Sequence, residues 1–106
     1  MVRQPAVKGM FYEADEKKLR LEIESCFISK FGPGDLPGKR GSERIIGVLV
    51  PHAGYTYSGP CAAWAYKVIA ETRLPEAYII LGTDHRGKGS AISIDSWETP
   101  LGQILS

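Results

Sequence analysis

Two hydrophobic rhythms alternate along this chain. Leu19, Ile23, Cys26 and Phe27 recur at i, i+4, i+7 and i+8 in an otherwise charged stretch, the signature of one helix face. That spacing predicts a helix from Asp15 to about Phe31, with Asp15 as N-cap and Gly32 and Pro33 as its stop. A second rhythm begins at residue 45, where "IIGVLV" (45–50) is unbroken by any polar side chain. Such a run reads as a strand covered on both faces, and Pro51, which has no N–H to donate, ends it. Ser58 or Gly59 then caps a second helix, with Pro60 in its first turn. Ala62, Ala65, Tyr66 and Ile69 fall on one side of it, small enough in part to dock closely on a sheet. "AYIILG" (77–82) is a second apolar run, and "AISID" (91–95) a third candidate strand.

These elements predict an α/β fold, a mostly parallel sheet flanked by helices. Strand, helix and strand between residues 45 and 82 form a crossover unit, which brings its two strands side by side and parallel. Residues 1–12 read as irregular or extended, and "GPGDLPGKRGSER" (32–44), with its four glycines and two prolines, as an exposed loop. The final "WETPLGQILS" (97–106) offers no helix stop or closing turn, although Thr99 and Pro100 can shape a bend.

Composition narrows the function without choosing it. The 106 residues suit one domain, 43% are hydrophobic, and the net charge of +1 points to neither nucleic acid nor an anionic membrane. Apolar runs of about six residues fall far short of the roughly 20 that a membrane span needs. Cys26 and Cys61 follow no metal or disulfide pattern, so both read as small buried hydrophobes in a reducing cytoplasm. Trp64 and Trp97 read as core or interface residues.

The candidate chemistry sits at the strand ends. The chain has two histidines, His52 two residues past one apolar run and His85 three past the other. In open α/β sheets the carboxyl ends of the strands hold the ligand, and adjacent parallel strands lie about 4.8 Å apart. Two imidazoles over that edge can share one metal ion; the alternative is a pair of loop histidines bonded to backbone. Gly54 lets backbone approach closely, and the helix starting near Ser58 aims free N–H groups at the same edge. Tyr55 and Tyr57 offer hydroxyls to a bound group, though one of them is expected to pack under the loop.

These residues carry a family resemblance. "VPHAGYTYSG" (50–59) resembles the signature of the Memo family, also called AmmeMemoRadiSam system protein B. "RQPAVKGMFY" (3–12), "CAAWAY" (61–66), "ILGTDH" (80–85) and "TPLG" (99–102) match it in the same order. Lys8 departs from it, standing where the family usually has a small residue, and Asp84 stands where members vary. The resemblance implies a fold similar to the LigB-like class III extradiol dioxygenases. It implies a metal site in which His52 and His85 match two residues, with iron or copper as cofactor and redox-type chemistry on an unidentified small substrate. Thr99 is placed near the cleft by the same match, beside Gly54, Tyr55, Tyr57 and Ser58. Family members run to more than twice this length and carry a cysteine, a histidine and an aspartate of the site further on. The chain therefore reads as an N-terminal portion, with an incomplete sheet and little activity alone. The other reading implied is a cleft that binds a peptide or partner protein without turnover, acting with AMMECR-type and radical-SAM proteins.

Overall fold

The computed structural model describes all 106 residues, Met1–Ser106. Its elements in chain order are β1 (Val2–Arg3), α1 (Glu16–Ile28), α2 (Tyr55–Glu71), β2 (Ser96–Thr99) and β3 (Gly102–Ile104). The strands form one mixed sheet in the order β1-β2-β3, parallel between β1 and β2 and antiparallel between β2 and β3. The class is α/β, as the sequence predicts, but the sheet is built from different residues.

Helix α1 forms where the periodicity places it. Asp15 takes the extended conformation of an N-cap, and its carboxylate accepts the Lys18 N–H at 3.0 Å. Arg20 reaches back to Glu16 at 3.0 Å, an exposed i,i+4 pair of small energetic weight. The helix stops at Ile28, three residues early, because Ser29 turns the chain and its N–H returns to the Ser25 carbonyl.

Helix α2 starts earlier than its sequence suggests. Gly54 is the N-cap, so "YTYS" is helical and Pro60 lies in the second turn. Ser58 is therefore no cap. Its buried hydroxyl donates to the Ala53 carbonyl at 2.9 Å, inside the helix start. The inward face is Ser58, Gly59 and Ala63, one position away from the expected Ala62–Tyr66 face, and Tyr66 is exposed. What it meets is α1 rather than a sheet. A Cβ on Gly59 would collide with the Cys26 sulfur, so the two helices cross at a point only glycine permits. Leu19, Cys26 and Ala63 are the buried hydrophobic residues of this helical pair.

The glycine-rich loop fastens the far end of α2. Glu71 pairs with Lys67 and accepts the Gly38 N–H at 2.7 Å, while the Gly41 N–H donates to the Glu71 carbonyl at 2.7 Å. Arg40 adds a bond to the Thr72 carbonyl at 2.9 Å. The ammonium and the amide together hold the Glu71 carboxyl below its usual range.

The predicted strands at 45–50, 77–82 and 91–95 do not form. All three segments lie outside any ladder, and no crossover unit joins them. Ile46, Leu49, Ile79, Ile80, Leu81, Ile92 and Ile94 are exposed, with Ile80 at 89%. A strand's N–H and C=O groups need a second strand, and here none bonds to these segments. The strands that do pair come from the ends of the chain. "TPLG" closes a hairpin in which the Thr99 hydroxyl donates to the Gly102 carbonyl at 2.7 Å and accepts the Leu101 N–H at 3.1 Å. Proline at the second turn position and glycine at the fourth is a turn signal present in the sequence. Cys61 is exposed rather than buried, and the two tryptophans are exposed, which sets aside the core alternative for them. Trp64 donates its indole N–H to the Phe31 carbonyl at 3.1 Å, and Trp97 lies beneath the Arg3 guanidinium at 4.6 Å.

Candidate metal centre

The two histidines meet. His52 Nε2 and His85 Nε2 are 3.0 Å apart, with ring centroids 5.1 Å apart and planes inclined by 52°. Their approach bridges 33 residues of sequence and comes without strand pairing, so the loops themselves deliver them. His52 follows Pro51 and stands two residues before the α2 N-cap, which fixes its height relative to the helix start. His85 follows Asp84, whose carboxylate accepts the N–H groups of Arg86 at 2.9 Å, Gly87 at 3.1 Å and Lys88 at 2.8 Å. Gly87 takes a left-handed φ of 64°, which lets that tight loop close. Sequence reading gave Asp84 no role; its place beside a candidate ligand in a glycine-containing turn was the available signal.

At 3.0 Å the two nitrogens form one hydrogen bond if one ring carries the proton on Nε2 and the other presents a lone pair. The same spacing suits chelation. Bonds of about 2.0–2.1 Å at a right angle put two nitrogens about 2.9 Å apart, and a tetrahedral angle puts them about 3.3 Å apart. The observed 3.0 Å lies between these two values and is equally an ordinary hydrogen-bond length, so it selects no metal. Both imidazoles are exposed, and no cluster of three or more His, Cys, Asp or Glu side chains surrounds them. The chain thus brings two imidazoles together with no third such side chain beside them. The residues fit an ion that takes further ligands from water, substrate or more polypeptide.

The other candidate residues separate into two groups. Gly54 and Tyr55 fasten the start of α2 to the N-terminal segment. The Tyr55 N–H donates to the Phe11 carbonyl at 2.8 Å, and a Cβ on Gly54 would lie 3.2 Å from that oxygen. Gly54 therefore admits the backbone of Phe11. Tyr57 and Ser58 donate their N–H groups to the Gly54 carbonyl, so much of this helix start is spent internally rather than on an anion. Burial pushes the Tyr55 hydroxyl above its ordinary range, with Tyr66, Tyr12, Glu22 and Cys26 adding smaller pushes in the same direction. Its ring leans on Tyr12 at 5.7 Å. Tyr57 points into solvent, 87% exposed.

Tyr55 and Thr99 line one open groove of about 360 Å³, together with Tyr12, Leu19, Ile23 and the β2–β3 turn. Neither histidine lines it. The histidine pair and the groove are separate features of this surface, joined through the two residues between His52 and Tyr55. No helix of the molecule is long and apolar enough to cross a membrane.

Residues 3–106 match the family model described as Memo-like protein. A MEMO1 family protein of Methanopyrus kandleri is 51% identical over 98% of this chain and 38% of its own length. One from Methanothermobacter thermautotrophicus is 48% identical over 98% of this chain and 39% of its own. One from Thermotoga neapolitana is 40% identical over 98% and 40%. The chain therefore spans about two fifths of the length of the curated relatives it matches. No solved structure matches it significantly.

Proposed function

The chain belongs to the Memo family, and on that premise we propose that His52 and His85 are two protein ligands of a single iron or copper ion. The observation that supports this is the 3.0 Å approach of their Nε2 atoms. In this reading the chain is the N-terminal portion of a longer LigB-like domain in the cytoplasm. The other ligands would come from the part of the longer relatives that lies beyond the matched residues.

A bound iron or copper ion would supply redox chemistry and Lewis acidity toward a small substrate. The chain's own residues act before that. Each imidazole contributes one Nε2 lone pair, and the Asp84 loop and the α2 start hold the two rings at chelating distance. The open side leaves room for substrate and water. With only two ligands from the protein, the isolated chain is expected to bind weakly.

Titration with ferrous iron, or with copper(II), tests the proposal. The unaltered chain should take up one ion per molecule. His52→Ala and His85→Ala should each weaken uptake by about 100-fold or more, since one imidazole cannot chelate. Equal uptake by all three proteins would contradict it.

A second reading has its own observation. The groove lined by Tyr12, Tyr55 and Thr99 lies apart from both histidines and is mostly apolar. It suits a peptide or partner protein held without turnover, and AMMECR-type or radical-SAM proteins are the partners that the family resemblance suggests. Unchanged partner binding in the histidine variants would favour this reading.

A further inference from the structure

We infer that Asp84 is a positioning residue, which holds the His85 imidazole against His52 by gathering the backbone of its own loop. The inference rests on the metal reading for its functional consequence, but its geometry stands on the free protein. Both carboxylate oxygens are engaged: Oδ1 accepts from Arg86 and Gly87 at 2.9 and 3.1 Å, and Oδ2 accepts from Lys88 at 2.8 Å. Bonds from N–H groups to an ionised carboxylate are among the stronger hydrogen bonds. They close residues 84–88 into a ring that contains His85 and the left-handed Gly87.

This ring matters because no strand pairing holds the segment. Residues 77–82 before it lie outside any ladder, and residues 91–95 after it do as well. Outside the ring, the hydrogen bond recorded for His85 is the one to His52. Without the carboxylate, three N–H groups turn to water and the loop samples other conformations. The His85 ring then leaves chelating distance. Asp84 does not form a three-membered ligand cluster with the two histidines, and its oxygens accept amides of its own loop.

Asp84→Ala and Asp84→Asn separate positioning from plain structural support. In the metal-free chain, nuclear Overhauser contacts between the His52 and His85 ring protons should vanish in Asp84→Ala. The amides of residues 86–88 should exchange faster, while far-ultraviolet circular dichroism stays unchanged because the Asp84 carboxylate bonds its own loop and neither helix. Asp84→Asn retains one acceptor oxygen and should keep part of the ring contact. Ferrous iron affinity should fall about 10–100-fold in Asp84→Ala, the usual effect of losing a group that orients a ligand, and less in Asp84→Asn. Ring contacts that persist in Asp84→Ala would overturn the inference. If instead they vanish while His85→Ala binds iron as well as the unaltered chain, the positioning role stands and the metal reading fails.

Discussion

The helical pair and the apolar extended segments use similar residues to opposite ends. Leu19 on α1 is 3% exposed, while Ile80 in the 77–82 segment is 89% exposed. The difference lies in where each backbone finds its hydrogen bonds. A helix closes its own ladder and needs a neighbour only for one stripe of side chains, which α1 and α2 supply to each other at Gly59 and Cys26. A strand supplies half of every bond and needs a partner for the other half. Residues 45–50 and 77–82 are rich in apolar side chains and still unpaired, so hydrophobicity alone did not supply their neighbours.

Leu19→Ala gives the largest effect expected from this contrast. It removes a buried side chain from a core that also contains Cys26 and Ala63, and should cost about 2–3 kcal/mol in denaturant unfolding. A loss below about 0.5 kcal/mol, the range of surface substitutions, would mean that the helical pair is not the core.

Acid provides the intermediate effect. Glu71 has its carboxyl lowered by Lys67 and by the Gly38 amide, so its contribution to stability is complete above the ordinary glutamate range. That contribution is lost as pH falls through the lowered value. The loop at 38–41 should then detach from α2, seen as a smaller protection factor of the Gly38 amide, relative to its intrinsic exchange rate, below the glutamate range. Glu71→Gln should remove this acid sensitivity. Identical acid profiles for the variant and the unaltered chain would place the sensitivity elsewhere.

The smallest effect is expected in the extended segments. Ile80→Ser should change stability by no more than about 0.5 kcal/mol, because the side chain packs on nothing. A loss above about 1 kcal/mol would show that this segment finds a partner in solution, a second copy included.

Legibility in the sequence followed the same divide. Asp15 and the i, i+4 spacing from Leu19 located α1 because a helix start and its inward face are local properties. The start of α2 was set too late because Pro60 was read as a first-turn residue, whereas the helix carries it in the second turn. Strand pairing was illegible, since "IIGVLV" and "AYIILG" state burial preference and say nothing of availability. The "TPLG" hairpin was readable from its proline and glycine, but its strands are short and "SWET" has a single apolar residue, Trp97. The histidines are instructive in a different way. Their positions after two apolar runs pointed to a meeting, and they do meet at 3.0 Å, although the paired strands expected to bring them together are absent. The Asp84 loop and the α2 start do that work, and neither was visible as a positioning device without coordinates.

The most direct measurement of the central claim counts imidazoles on one ion. Pulsed electron paramagnetic resonance of the copper(II)-loaded chain detects the remote ring nitrogen of each bound histidine. Because His52 and His85 face each other through Nε2, both Nδ1 atoms would be the remote nitrogens. The account predicts modulation from two equivalent imidazoles at one copper ion, falling to one in either His52→Ala or His85→Ala. A signal from a single imidazole in the unaltered chain, or from none, would contradict it.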